Sequence, residues 1–221
     1  MPLIKKSEQI TLGHVFNLKD LDRKIYNENE IKHFDLMESI NEHPLSKRPT
    51  AIRSKLAYKE IMTITKPTKK YLLPGQLVLF HYAQPKFKEE LEYYDASPLT
   101  LFCGITRTED GNIREVGINL HYYPPFTRTK VMDAVYRHFK PYFDKNFNEV
   151  SGKPNTWISY SSVKHLMKSG TKLGFGIRMY IPVLRGASYV LPTRLVPTAC
   201  YTEGHFSNAT LQQIFNFWRN F

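Results

Sequence analysis

Two spacings of hydrophobic residues divide the chain, one suited to strands and one to helices. From Leu73 onward the apolar positions fall in short runs separated by turn residues. Leu77–Tyr82 follows a Pro-Gly pair, and Leu99–Thr106 follows a loop ending at Pro98. Both runs are too short and too β-prone for helices, so each predicts a strand. Ile113–His121 is a third run. Asp110-Gly111 lies before it and signals a hairpin, because glycine tolerates the positive φ of a tight turn. Phe175, Ile177, Met179, Ile181 and Val183 alternate strictly and predict a further strand on the same sheet. A meander of this kind fits a small antiparallel, SH3-like β-barrel over residues 73–122 and 175–200.

Helical spacing appears between and before these strands. Thr127 can cap a helix carrying Val131, Val135 and Phe139, ended by Pro141. Ser159 or Ser161 can cap a short one with Val163, Leu166 and Met167, with Gly170 just past its end. Asn208 precedes a closing helix with Leu211, Ile214, Phe215 and Trp218. Leu18, Leu21 and Ile25, then Ile31, Phe34 and Met37, predict short helices in the first 42 residues. Pro44, Pro49 and Pro67 interrupt the segment from His43 to Lys70. One helix fits Ile52–Ile61, and the rest of that segment reads as extended, surface-hugging chain.

The predicted class is α+β, a barrel decorated with helices. An N-terminal arm spans 1–72, a body 73–206 and a C-terminal helix 207–221. The arm's scattered apolar residues predict that it finds its core in a partner or across its own domain.

Composition narrows the class. A chain of 221 residues can bury a substantial core as one medium domain. Cys103 and Cys200 are too few and too far apart for a disulfide scaffold or a zinc site, which fits a reduced cytosolic origin. The N-terminal MPLIKKSEQITLG has no apolar signal region, and nowhere do about 18 apolar residues run together. Neither a secreted precursor nor a membrane span is predicted.

Charge changes the picture more. The formal net charge is +11, and it is uneven. Residues 1–42 hold six Lys/Arg against eight Asp/Glu, residues 43–88 ten against one, and residues 128–200 twelve against three. Such blocks attract polyanions or acidic protein surfaces. No base-reading element accompanies them, which argues against sequence-specific recognition. The candidate contacts to nucleic acid or to an acidic partner are Lys69, Lys70, Arg128, Lys130, Lys164 and Lys168. Phe215, Trp218 and Phe221 crowd the last helix and are candidates for a partner interface.

Catalytic constellations do not emerge. "SGTKLGFG" lacks the spacing and the following helix of a phosphate loop. The eight histidines are scattered, and no pair sits at helical ligand spacing. Glu89, Glu90, Glu92 and Asp95 are close together but read as one solvated acidic loop. The reading is of a protein with no catalytic residue, no metal and no cofactor. The stretch "GINLHYYPPFTRTKVMDAV", Gly117–Val135, reads as a strand-to-helix corner in which Pro124 keeps Tyr123 out of helical geometry. His121 and Tyr122 are expected to hydrogen-bond each other or the loop above them.

These blocks also carry a resemblance. Pro74-Gly75, Tyr93-Tyr94-Asp95 with Pro98, Gly117 with Asn119-Leu120-His121-Tyr122, Pro124-Pro125 with Arg128, and Ser159-Tyr160 follow one another in order. The order resembles a family of virion proteins from contractile-tailed phages, often labelled DNA end protectors. It covers residues 50–206, and the Asn-Leu-His-Tyr block is its most specific part. The resemblance implies a virion protein assembled in the host cytoplasm, with the matched residues architectural and Asp95 closing beneath Asn119–His121. The leading expectation is a structural component of the neck, tail or baseplate that binds other virion subunits in a multi-copy ring or wedge. The alternative is a protein that binds double-stranded DNA without sequence preference and protects the packaged genome end.

Overall fold

The structure is a computed structural model and describes residues 9–10, 39–68, 72, 74–83, 93–125, 127–132, 157–168, 172–207, 209–210, 212–214 and 216. Among these, one seven-stranded sheet comprises β1 (Gln9–Ile10), β2 (Leu77–Tyr82), β3 (Leu99–Arg107), β4 (Ile113–Asn119), β5 (Trp157–Ile158), β6 (Ile177–Tyr180) and β7 (Arg185–Val190). The helices are α1 (Thr50–Ile64), α2 (Tyr160–Lys168), α3 (Lys172–Gly176) and α4 (Val196–Ala199). Residues 39–42 and 127–132 are also helical. The α+β class is as the two spacings predict.

β7, β2, β3, β4 and β6 lie side by side in that order, each antiparallel to its neighbours. β5 runs parallel to β3, where Ile105 pairs with Trp157, and β1 runs parallel to β5. β6 and β7 stand at opposite ends of the five-strand order. Yet only Ile181 and the 3-10 turn Pro182–Leu184 separate them in sequence. Five flat strands would set them on the order of 19 Å apart. The chain from Tyr180 to Arg185 reaches at most about 17 Å even when fully extended. The sheet must therefore curl strongly. It is not a closed barrel: β6 and β7 do not pair with each other among the described residues, so the predicted SH3-like closure is absent from them.

The strand predicted through Phe175–Val183 shortens to β6. Phe175 belongs to α3, and Val183 sits in the 3-10 turn at 88% exposure. Pro182 accounts for the stop, because it lacks the N–H that a ladder needs.

β2 is apolar from Leu77 to Phe80 because both its faces are buried there, and only His81 is exposed. Leu77 and Leu79 enter one core cluster with Leu99, Leu101, Val116 and Ile118. Val78, Phe80 and Tyr82 enter another with Phe102, Tyr94 and Tyr180. Each such side chain contributes about 1.5–3 kcal/mol when fully buried. The β3–β4 hairpin turns where Asp110-Gly111 predicts it. Thr108 N–H donates to Asn112 O at 2.9 Å, and Gly111 adopts a φ of +82°. Gly117 permits close approach of β4 to β3, since a Cβ there would lie 2.3 Å from Thr100 Cγ2.

The helix expected over Ile52–Ile61 is present as α1, longer at both ends, and the 3-10 turn Pro44–Lys47 replaces part of the expected extended chain. α1 buries Ser54, Ala57 and Ile61 and packs against α4. Ile40 and Leu45 join the same cluster as the sheet leucines, and the Tyr201 hydroxyl donates to Ile40 O. This half of the arm finds its core in its own body. The prolines start elements here: Pro44 opens the 3-10 turn Pro44–Lys47, and Pro49 stands at the N-cap of α1. The helix after the corner also begins earlier than a Thr127 cap predicts, with Thr127 N–H and Arg128 N–H both donating to Pro124 O. The helices predicted before residue 38, and Val135, Phe139 and Leu211, lie outside the described residues. Among those described, no helix is long and apolar enough to cross a membrane.

The docking of α1 is testable by urea unfolding. Ile61→Ala, at a fully buried position, should cost about 2–5 kcal/mol. Ile52→Ala on the same helix, at 51% exposure, should change stability by no more than about 0.5 kcal/mol. Equal, small losses from both would show that α1 does not rest on the sheet.

Candidate nucleic-acid interface

The site is built around the corner where β4 leaves the sheet. Asn119 Oδ1 accepts from His121 N–H at 3.0 Å and so opens the 3-10 turn Leu120–Tyr122. Tyr123 is extended, as the proline after it requires. Asp95 meets this corner from the loop before β3. Its Oδ2 accepts from Asn119 Nδ2 and His121 Nδ1, both at 2.9 Å. Its Oδ1 accepts from Ser97 N–H at 3.1 Å and His205 N–H at 3.0 Å. The sequence predicts a solvated Asp95; the residue is instead buried, because the corner and two backbone amides supply donors for all of its charge. Glu89, Glu90 and Glu92 lie outside the described residues.

Burial alone would raise the pKa of Asp95. His121, Asn119 and the Ser97 amide outweigh it and hold the carboxyl below its ordinary value. For His121, burial dominates and pushes the imidazole below its ordinary 6.5, against the pull of Asp95; Arg128 and His205 add to the lowering. The neutral ring donates from Nδ1 to Asp95. Its Nε2 then accepts from the Thr202 hydroxyl at 3.0 Å, and Ala199 O, 2.7 Å from the same oxygen, competes for that one proton. An Asp–His–hydroxyl line has the order of a hydrolase relay. Here His121 and Thr202 have no exposed surface, so the line braces the fold.

The sequence predicts Arg128 projecting toward a polyanion; it points inward and is fully buried. Pro125, Arg128, Thr129 and Met132 are all buried, a spacing that defines the inner face of this helix. Arg128 Nε donates to Tyr123 O at 3.0 Å, and Nη1 donates to Cys200 O at 2.8 Å and Thr202 O at 2.5 Å. Burial draws its pKa down to about 10, which leaves it charged at neutral pH.

Beside the corner lies a cavity of about 660 Å³. Tyr82, Tyr94 and Tyr180 line it from the second core cluster, Tyr122 from the corner, and Tyr160 from the start of α2. Arg114 of β4 and Arg178 of β6 bring cations to it. The Tyr82 and Tyr180 rings meet edge-on with centroids 5.2 Å apart. The Arg178 guanidinium lies over the Tyr122 ring at 4.1 Å. Tyr94 and Tyr122 donate their hydroxyls to Tyr82 O and Tyr93 O. Burial raises the phenol pKa of Tyr82, Tyr122 and Tyr180, so these walls carry no negative charge at neutral pH. Asp95 and Asp110 also line the cavity, and the aromatic walls with the two guanidinium groups suit a planar ligand whose anionic part lies against the arginines.

Two of the predicted cations stand near this cavity without lining it. Lys164 and Lys168 lie on α2, whose Tyr160 and Met167 line it. Lys164 Nζ is 5.2 Å from the Tyr160 ring centroid and 3.4 Å from Glu109 Oε1 on the hairpin. Lys168 and Lys130 are exposed. Lys69, Lys70, Phe215, Trp218 and Phe221 lie outside the described residues. Arg114 and Arg178 are not singled out by the sequence reading, though Arg178 interrupts an apolar strand between Ile177 and Met179. Among the described residues, no group of three His, Cys, Asp or Glu side chains is placed to hold a metal ion.

The state of His121 gives a signed pH dependence. Its folded pKa is lowered, so it contributes stability above pH 6.5 that is lost as pH falls through the folded value. Glu115 and Glu203, which burial raises, act in the opposite direction. The unfolding free energy in urea should fall between pH 7.5 and 5.5, and His121→Asn should flatten that fall. A slope left unchanged by the substitution would show that His121 titrates alike in the folded and unfolded chain.

No curated protein and no solved structure matches the chain. One family model, described as phage T4 terminal DNA protecting protein, matches residues 15–188. That span holds the corner, α2 and both arginines of the cavity, and it agrees with the resemblance carried by the Gly117–Arg128 block. The chain belongs to the phage T4 terminal DNA protecting protein family.

Proposed function

We propose that the protein binds the ends of a packaged phage genome and shields them, as a non-catalytic virion component at the head–tail neck. The observation that carries this reading is the tyrosine- and arginine-lined cavity with Lys164 and Lys168 on the helix beside it. The family's description as a terminal DNA protecting protein supports it. So does a formal charge of +11 without a base-reading motif, because phosphate contacts alone carry no sequence preference.

A second reading keeps one specific observation. Ile52, Leu56, Met62 and Ile64 of α1 are exposed, at 40% or more. Large apolar side chains on one exposed helix suit contact with another virion subunit, in the neck or elsewhere in the tail. The two roles are compatible in one protein.

The test uses the full chain and linear duplex DNA. If about five side chains contact phosphates, the log–log dependence of affinity on salt should have a slope of roughly −4 to −5. Lys164→Glu with Lys168→Glu should flatten that slope by about two and weaken every DNA sequence alike. Closed circular DNA of the same length should compete poorly. Equal competition by circular and linear DNA would remove the genome-end role. Unchanged DNA affinity in a double variant that fails to enter particles would favour the subunit-binding role.

A further inference from the structure

We infer that the cavity takes one unpaired nucleotide at the terminus of a DNA strand, with its base among the tyrosine rings and its phosphate against Arg114 and Arg178. The inference rests on the genome-end reading and specifies what part of the end is held.

Tyr160 and Arg114 are little used within the fold, and Arg178, though held by the corner, keeps one guanidinium edge toward the cavity. Tyr160 is half-buried, and among the described residues only the Lys164 ammonium lies over its ring and its hydroxyl makes no hydrogen bond. Arg114 donates only from Nη1, to its neighbour Ile113 O at 3.0 Å, and makes no ion pair among them. Arg178 donates from Nε to the Tyr122 hydroxyl at 3.3 Å and from Nη1 to Phe175 O and Ile177 O at 2.8 and 2.7 Å. Its Nη2 has no partner among the described residues. One aromatic face and two guanidinium edges are the complement of a base and its phosphate.

Size selects a nucleotide over a duplex. The 660 Å³ volume lies within the range of small-molecule sites, about 300–1,000 Å³. A duplex, whose major groove alone is about 12 Å wide, does not enter it. Position then selects the end. An internal nucleotide must leave stacking partners on both sides, a terminal one on a single side. The stacking given up at one terminal step is of the same order as a base gains on an aromatic side chain. Every base has a π-face, so the grip carries no sequence preference. The phenol walls stay neutral; of the two carboxylates in the lining, Asp95 accepts four hydrogen bonds and Asp110 lies in the field of Arg114, so the phosphate belongs at the guanidinium side.

The experiment places 2-aminopurine at the terminal or the central position of a linear duplex and adds the full-length protein. The terminal probe should change its fluorescence on binding and the central probe should not. Tyr160→Ala with Arg114→Ala should abolish the terminal response and reduce the preference for linear over circular DNA by about tenfold. Salt-dependent duplex binding through the lysines should persist in that variant. Neither side chain is buried in the core, and Arg114→Glu alone serves as a second variant whose only change is an uncommitted charge. Equal responses from both probes, or a terminal response kept in the variants, would overturn the inference while leaving end binding standing. Absence of any preference for linear DNA in the unsubstituted protein would overturn the genome-end reading and this inference with it.

Discussion

One buried carboxylate holds the corner on which the site is built. Asp95 accepts from Ser97, from Asn119 and His121 at the end of β4, and from His205 after α4. Burying an unpaired charge costs several kcal/mol, and removing one partner of a buried pair costs about 3–5 kcal/mol. The carboxylate is therefore tolerated only while these segments stay together. Their placement fixes Leu120–Tyr122, and so the Tyr122 ring over which Arg178 lies at 4.1 Å. A loop, a strand end and a C-terminal segment are locked by four hydrogen bonds before any ligand arrives.

The cations divide by type, and that division decides what the net charge means. Arg128 bonds three carbonyls, Arg185 pairs with Glu115 at 2.9 Å in a largely buried contact, and Arg53 lies 5.4 Å from the Tyr201 ring centroid. A guanidinium has five donors in a rigid fork and stacks on rings, so it serves several acceptors at once. An ammonium is a strongly hydrated point charge, and Lys130 and Lys168 remain exposed. Much of the arginine charge thus braces the fold. Under the proposed function, long-range attraction of a polyanion would fall mainly to lysines, and close contact to Arg114 and Arg178.

Local signals in the sequence are legible, and long-range ones are not. The hairpin at Asp110-Gly111 and the strand Leu77–Tyr82 each depend on neighbouring residues alone. The closing of Asp95 beneath Asn119–His121 follows from the family resemblance, which carries information about distant contacts. Arg128 defeats the local reading. Its spacing to Met132 matches an inner helix face, yet a charged residue is almost never fully buried unless paired. Its acceptors are carbonyls of Cys200 and Thr202, 72 and 74 residues away. The cavity is hidden for the same reason. Tyr82, Tyr122, Tyr160 and Tyr180 share no period, and the curl forced by the short β6–β7 link draws strand tyrosines to one wall.

The family match ends at residue 188, but the brace around the corner extends to residue 205. Most of those last contacts are made by main chain. Ala199, Cys200 and Thr202 contribute carbonyl oxygens, and His205 contributes an amide N–H. Every residue except proline offers both groups, so the brace needs a chain path there more than particular side chains. The Thr202 hydroxyl at His121 Nε2 is the exception, since it is a side-chain partner of the buried network. The side chains of Asp95, Asn119, His121 and Arg128, by contrast, have no backbone substitute, and all four lie inside the matched span. Beyond residue 188 the corner is thus closed mainly by main chain, while the four side chains at its centre lie before that point.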